Sequence, residues 1–111
     1  MATLSSHLLN SVNGTHANNV DIIIYQIKSN GEKKVFCETK TDDGGRVLKE
    51  FDLNDEDCKS EYEMVCKTGD YFSEKKIVSE ITVKFKMPDP NKKYHIPIII
   101  SPNGYSIWWS D

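Results

Sequence analysis

Residues 79–87 read SEITVKFKM, and this stretch decides the fold class. From Ile81 to Met87, apolar and polar side chains alternate strictly. A period of two places successive side chains on opposite faces of a β-strand. A strand that packs one face on a core and turns the other to water is typical of antiparallel sheets. The stretch therefore predicts a half-buried antiparallel strand that ends at the proline-rich turn, residues 88–91.

Short stretches rich in β-branched and aromatic residues recur along the chain, separated by clusters of turn residues. This spacing predicts an all-β sandwich with seven to eight strands and one short helix. The helix is expected at Tyr71–Ile77. Pro97 lacks a backbone N–H, so we expect part of its strand to be a sheet edge or a bulge. The further predicted strands are Val20–Ile27, Lys34–Lys40, Val47–Leu53, Tyr62–Lys67, Tyr94–Ser101 and Tyr105–Trp109.

The composition is typical of a soluble globular protein, since 38% of the 111 residues are hydrophobic and 28% are charged. This length suits one domain spanning residues 1–111. Acidic and basic residues are interspersed, the net charge is −3 and the lysine doublets are isolated, so nucleic-acid binding is not expected. We expect no membrane association, because no apolar run is long enough to span a bilayer and no signal peptide is evident.

The three cysteines, Cys37, Cys58 and Cys66, are odd in number and form no CxxC pair. This pattern favours neither a disulfide framework nor a zinc site. Cys37 and Cys66 lie within apolar, strand-like stretches, so we expect them to be buried free thiols. Free thiols suit a reducing compartment, and the cytoplasm is the expected location.

Three polar residues are candidates for chemistry: His7, Arg46 and His95. A histidine exchanges protons near neutral pH, and a guanidinium binds an oxyanion or a carboxylate. Together they would suit metal-free hydrolysis of an activated carbonyl, although each residue taken singly is more simply interpreted as structural. The third histidine, His16, is expected only to be exposed. The histidine spacings of 9 and 79 residues match no local metal motif.

Four stretches carry a resemblance to a known family. They are residues 4–10, LSSHLLN; residues 41–46, TDDGGR; residues 68–72, TGDYF; and residues 94–106, YHIPIIISPNGYS. In this order they resemble the motifs LSTHVLD, TNxDGR, TGxYF and YHVPLLLSPxGYS of the 5-hydroxyisourate hydrolase and transthyretin-like family. The last motif is the most specific, and the resemblance extends over nearly the whole chain.

This resemblance implies a transthyretin-like β-sandwich and a homotetramer, a dimer of dimers, with active sites in a channel at the dimer–dimer interface. It implies no cofactor and no metal. Members of the family hydrolyse a small molecule, 5-hydroxyisourate, by opening its ring. Their catalytic residues correspond to His7, Arg46 and His95, the same three residues that were selected from their chemistry. The resemblance thus implies a cofactor-free hydrolase of a cyclic amide or ureide.

The C-terminus departs from the family pattern. The family ends in Tyr-Arg-Gly-Ser, and the corresponding residues here are Trp108, Trp109, Ser110 and Asp111. The resemblance assigns substrate binding to Ser106, Trp108, Trp109 and Asp111, with one positive charge lost and one negative charge gained. Three interpretations remain open: an enzyme with a related, less anionic substrate; a transthyretin-like small-molecule-binding protein without catalysis; or an unchanged enzyme with a disordered tail.

Overall fold

A computed structural model describes residues 1–72 and 77–110, which form nine strands and two short helices. The helices are α1 (Asp55–Lys59) and α2 (Thr68–Tyr71). The strands are β1 (Ala2–Asn10), β2 (Thr15–His16), β3 (Asp21–Ile27), β4 (Lys33–Lys40), β5 (Arg46–Phe51), β6 (Glu61–Cys66), β7 (Ile81–Lys86), β8 (Lys93–Ser101) and β9 (Gly104–Ile107).

The strands form two sheets with a shared core. One sheet has the order β4-β3-β6-β7. In the other sheet, β1 pairs with β8 on one side and with β2 and β5 on the other, and β9 lies beyond β8. One buried apolar cluster contains residues of both sheets, including Leu4, Leu8, Ile22, Ile24 and Ile98. The predicted all-β sandwich is therefore confirmed.

The N-terminal strand β1 is central to the five-stranded sheet, although the sequence pattern did not predict it as a strand. It runs parallel to β8 and antiparallel to β5. Its buried positions include Ser6, whose hydroxyl donates a hydrogen bond to the backbone carbonyl of Ile96 at 2.7 Å. This bond satisfies the hydroxyl inside the core. A serine at an inward position interrupts the apolar alternation by which a strand is predicted.

The expectation that Pro97 makes part of β8 a sheet edge or a bulge is wrong for the bulge but holds for the edge, because β9 pairs only with Ile98–Ser101 and ends before it reaches Pro97. Strand β8 lies between β1 and β9, and its register with β1 continues through the pair of His7 and Pro97. The carbonyl oxygen of Pro97 accepts the N–H of Trp108 at 3.4 Å. The backbone nitrogen of Pro97, which carries no hydrogen, therefore also faces Trp108. Because β9 ends at Ile107, the proline removes no hydrogen bond within that strand.

The helices differ from the single predicted one. Helix α1 was not predicted, and it begins with a capping box in which the Asn54 side chain accepts the N–H of Asp57 at 2.8 Å. The predicted segment Tyr71–Ile77 includes residues 73–76, which lie outside the described residues, and α2 ends at Tyr71. Within residues 1–72 and 77–110, no helix is long and apolar enough to cross a membrane.

All three cysteines are free thiols. Cys66 is buried, and this burial raises the pKa of its thiol to about 12. Cys37 is only partly buried. The expectation of a buried free thiol is therefore confirmed for Cys66 and is wrong for Cys37.

Candidate active site

The outer face of the five-stranded sheet brings the three candidate residues together. His7 on β1 pairs with Arg46 on β5 and, on its other side, with Pro97 on β8. His95 pairs with Ser5, two residues along from His7, and therefore lies on the same face. Directly opposed residues have Cβ atoms about 5 Å apart, and diagonal ones about 7–8 Å apart. We call His7, Arg46 and His95 the candidate cluster.

A tight turn holds Arg46 beside His7. The Asp42 carboxylate accepts the backbone N–H of Arg46 at 2.9 Å. Gly45 has a φ of +72°, and its carbonyl oxygen accepts the N–H of Leu8 at 2.8 Å. A Cβ atom at Gly45 would lie 2.6 Å from the carbonyl oxygen of Leu8. Only glycine therefore lets the turn approach β1 this closely in this conformation.

The ring of His95 is fixed by a serine on the neighbouring strand. Ser5 Oγ lies 2.8 Å from Nδ1 of His95. The backbone carbonyl of His95 also accepts the N–H of Ser110 at 2.9 Å, which ties the C-terminal segment to this part of the sheet. Because Nδ1 is engaged by the serine, Nε2 is the nitrogen that remains to exchange a proton.

His7 has a neighbour that the sequence pattern missed. Its Nε2 lies 2.9 Å from Nδ1 of His16, and the two ring centroids are 4.9 Å apart. The contact arises because β2 pairs antiparallel with the end of β1, where His16 is opposite Leu9. His16 is exposed as expected, yet it contacts the candidate cluster. The signal available in the sequence is Gly14, a glycine between β1 and β2 that has a φ of 73° and lies where the chain reverses.

The surroundings of His7 favour its neutral form. Partial burial lowers the pKa of the imidazole below its usual 6.5, and the neighbouring Arg46 guanidinium lowers it further. His16 and His95 act in the same direction, whereas a hydrogen bond with the backbone of Gly44 raises the pKa. A neutral imidazole beside a guanidinium combines a proton acceptor with an oxyanion-binding group. Among the described residues, no group of three or more His, Cys, Asp or Glu side chains is placed to hold a metal ion.

The four C-terminal candidates do not all lie on this face. Ser106 lies opposite Ile99, and Trp108 lies opposite Pro97. Both of these β8 positions face outward, so Ser106 and Trp108 share the face of the candidate cluster. Trp109 does not share that face, because its ring packs against the buried Tyr94 with the ring centroids 5.6 Å apart. Asp111 lies outside the described residues. The structure therefore places two of these four residues on the face of the cluster.

The chain matches a known protein family over most of its length. Residues 4–109 match the model of the HIUase/Transthyretin family. The 5-hydroxyisourate hydrolase of Halalkalibacterium halodurans is 28% identical over 112 residues, covering 95% of this chain and 94% of that protein. The 5-hydroxyisourate hydrolase of Salmonella dublin is 33% identical over 108 residues, covering 95% of this chain and 78% of that protein.

A solved structure has the same fold. The 5-hydroxyisourate hydrolase of Klebsiella pneumoniae superimposes with a TM-score of 0.76 at 22% identity, covering 100% of both chains. At this identity the likeness establishes the fold alone. The transthyretin-like form of the predicted β-sandwich is therefore confirmed.

Proposed function

We propose, from the premise that this chain belongs to the HIUase/Transthyretin family, that it is a cofactor-free hydrolase that opens the ring of a cyclic ureide. The proposed substrate is 5-hydroxyisourate or a closely related compound, because the relatives from Halalkalibacterium halodurans and Salmonella dublin are 5-hydroxyisourate hydrolases. The observation that carries the proposal is the candidate cluster, in which His7, Arg46 and His95 share one face of the sheet.

Each member of the cluster has a role in the proposed reaction. A histidine, His95 or His7, takes a proton from the attacking water. The water oxygen bonds to a ring carbonyl carbon, and the carbonyl oxygen acquires a negative charge that the Arg46 guanidinium stabilises. The tetrahedral intermediate then collapses, the C–N bond breaks, and the ring nitrogen receives the proton that the histidine holds. The bond from Ser5 supports this role for His95, because it fixes the ring.

The C-terminal segment supports a preference for a less anionic substrate. By the resemblance, Trp109 and Asp111 stand where the family motif has arginine and serine, so the C-terminal segment carries one positive charge fewer and one negative charge more than that motif. Losing a cation that pairs with a desolvated anion weakens binding by about 2–5 kcal/mol. Trp108, which is 46% exposed on the face of the cluster, offers an indole surface to a planar ring. We therefore propose weak binding of 5-hydroxyisourate itself and tighter binding of a related, less charged ring.

The decay of 5-hydroxyisourate absorbance tests the activity. The compound is generated from urate with urate oxidase, and its decay is followed with and without micromolar protein. We expect the wild-type protein to accelerate the decay. Arg46→Ala and His95→Ala should each lower the rate about 100-fold or more, because each removes a group that acts on the transition state.

Glu50→Ala is the matched control for these variants. Glu50 lies on β5, on the same face as Arg46 but at the far end of the strand, opposite Thr3. Its replacement should leave the rate unchanged. Absence of acceleration by the wild-type protein would overturn the proposed substrate. Acceleration that persists in both Arg46→Ala and His95→Ala would overturn the assignment of the site.

The proposed active form is a homotetramer, a dimer of dimers, in which each single-domain subunit, residues 1–111, turns its candidate cluster towards a channel. Leu48 and Trp108 are 66% and 46% exposed on the face of the cluster, and this supports the proposal, because two large apolar side chains exposed on one sheet face offer a surface that another subunit can cover. Light scattering should give four times the 12.7 kDa of one chain. A monomer that retains full activity would contradict the proposal.

A second candidate function is small-molecule binding without catalysis, and a groove between β7 and β9 favours it. Its volume is about 560 Å³, which lies within the range of small-molecule sites. Phe85, Tyr94, Ile107 and Trp109 contribute to its lining, which suits a planar apolar ligand. A planar aromatic ligand that raises the Tm of the protein without being turned over would support this function.

The proposed location is the cytoplasm. The three free thiols support a reducing compartment. Fractionation of the source cells should recover the protein with the cytoplasmic enzymes, and recovery from an oxidising compartment would contradict this location.

A further inference from the structure

His95 lies between two serines on the outward face of the five-stranded sheet. On one side it pairs with Ser5 of β1, whose Oγ is 2.8 Å from Nδ1 of the histidine. On the other side an isolated antiparallel bridge joins His95 to Ser110, whose N–H is donated to the His95 carbonyl oxygen at 2.9 Å. Opposed residues of a sheet project from the same face, with Cβ atoms about 5 Å apart. Ser110 therefore lies beside His95 on the face of the candidate cluster.

The register of the C-terminal segment explains why Ser110 reaches this face. The Trp108 N–H is donated to the carbonyl oxygen of Pro97 at 3.4 Å, two residues before the bond of Ser110, so the segment continues antiparallel to β8 beyond the end of β9. Alternate residues of an extended segment share a face, so Trp108 and Ser110 both project beside the cluster. The ring of Trp109 turns the other way and packs against Tyr94. Ser110 was not among the residues selected from the sequence.

The hydroxyls of the two serines differ in their surroundings. The Ser5 hydroxyl is engaged by the His95 ring. Ser110 is only partly buried, and within residues 1–72 and 77–110 its hydroxyl has no hydrogen-bond partner. A serine hydroxyl can donate one hydrogen bond and accept others. The edge of a cyclic ureide carries both C=O and N–H groups, so this hydroxyl can bind either kind of ring atom without bringing a charge into the site.

We infer that Ser110 is a further substrate-binding residue, whose hydroxyl binds a C=O or N–H group of the ring beside His95 while the indole of Trp108 covers one face of that ring. This inference rests on the proposed function, since it names a contact with the same substrate at the same site. Trp108 and Ser110 are about 7 Å apart along the segment, close enough for one heterocycle to contact both. Because the hydroxyl is neutral, the contact suits a less charged ring, in agreement with the proposed preference.

Steady-state kinetics of 5-hydroxyisourate hydrolysis provide the first test. Ser110→Ala removes the hydroxyl and should raise KM about fivefold with kcat unchanged, which is the size expected for one hydrogen bond made equally to substrate and transition state. Ser110→Thr keeps a hydroxyl on a residue suited to extended backbone, and it should retain the wild-type KM. An unchanged KM in Ser110→Ala, or an equal rise of KM in Ser110→Thr, would overturn the inference.

Thr82→Val is the matched control for the loss of a hydroxyl. Thr82 is exposed on β7, in the other sheet, and valine keeps the size and branching of the side chain. This replacement should leave both kcat and KM unchanged. A rise of KM in Thr82→Val as large as that in Ser110→Ala would contradict the inference, because the effect would then not depend on the place of Ser110 beside His95.

Binding of uracil, a neutral planar cyclic ureide, tests the same contact without turnover. The chain has 2 tryptophans, and their indole NMR signals, assigned with Trp108→Phe, report the binding. We expect uracil to shift the Trp108 signal more than the Trp109 signal, and Ser110→Ala to raise the Kd of uracil about fivefold. A larger shift at Trp109, or an unchanged Kd in Ser110→Ala, would overturn the inference.

The two measurements together separate the inference from the proposed function. If the protein does not accelerate 5-hydroxyisourate decay but Ser110→Ala weakens uracil binding, the proposed function fails and the contact of Ser110 stands. If the protein is active but Ser110→Ala changes neither KM nor the Kd of uracil, the inference fails and the proposed function stands. Absence of both activity and uracil binding in the wild-type protein would overturn both.

Discussion

Replacing Gly45 with alanine would test how the turn before β5 holds the candidate cluster together. Gly14 is a matched control, because the two glycines have nearly the same φ, +72° and +73°. Alanine at either position has the same conformational cost, about 1–2 kcal/mol. The positions differ in the space available. A Cβ atom at Gly14 meets nothing within 4 Å, whereas one at Gly45 lies 2.6 Å from the Leu8 carbonyl oxygen and 3.1 Å from the Ala17 nitrogen.

Both contacts at Gly45 are with backbone atoms, so neither can be relieved by rotating a side chain. Forcing an extra carbon into a packed site costs about 1–3 kcal/mol more. We therefore expect Gly14→Ala to lower the free energy of unfolding by about 1–2 kcal/mol. Gly45→Ala should lower it by about 2–5 kcal/mol. Gly45→Ala should also lower the hydrolytic rate, because Arg46 is the next residue and would move away from His7.

Urea denaturation of the two variants, followed by tryptophan fluorescence at one fixed protein concentration, measures the difference. The 2 tryptophans of the chain provide the signal. Thermal unfolding gives a second estimate, because 1 kcal/mol shifts the Tm of a domain of this size by about 4–8 °C. Equal losses of stability in Gly45→Ala and Gly14→Ala would refute the reasoning, since they would show that the close approach to β1 costs nothing.

Three further predictions follow from single contacts. Ser5→Ala removes the hydrogen bond to His95 and should lower kcat about fivefold to tenfold with little change in KM, and an unchanged kcat would show that another contact holds the ring. The pKa of His7 is lowered from 6.5 in the folded state, so as the pH falls the unfolded chain takes up a proton before the folded chain does. Urea titrations should therefore show that the free energy of unfolding decreases as the pH is lowered, and that this decrease is less steep in His7→Gln. The buried Cys66, whose pKa is raised to about 12, should react with a thiol reagent much more slowly than Cys37 until denaturant is added, and equal rates in the native protein would contradict its burial.

The sequence predicts a strand well where every inward residue is apolar. Strand β7, Ile81–Lys86, lies within the predicted segment 79–87. Strand β1 was not predicted because its inward-facing residue Ser6 is polar. Ser6 can be buried because its hydroxyl donates a hydrogen bond to the carbonyl of Ile96, on a strand distant in the sequence. The bulge that was expected at Pro97 is absent for a similar reason, because the cost of the missing N–H depends on where β9 ends, and β9 pairs only with Ile98–Ser101. Such partners are set by tertiary structure, which local patterns do not contain.

The candidate cluster was predicted from chemistry and motif, while its surroundings were not. His16 contacts His7 because the chain reverses near Gly14 and β2 pairs with β1, and a spacing of 9 residues carries no such signal. The separation of Trp109 from Trp108 was available from the sequence. Adjacent residues of a strand face opposite ways, so a strand predicted over both tryptophans places only one of them on the face of the cluster.

A double-mutant cycle on Arg46 and His95 tests the central claim most directly, which is that these residues act on one bound substrate. The measurement is kcat/KM for 5-hydroxyisourate hydrolysis by the wild-type protein, Arg46→Ala, His95→Ala and the double variant. We predict that each single variant loses about 100-fold or more, and that the double variant is little worse than the poorer single one, as for residues that work as a unit. Losses that multiply in full would contradict the account, because they would mean that the two side chains act independently.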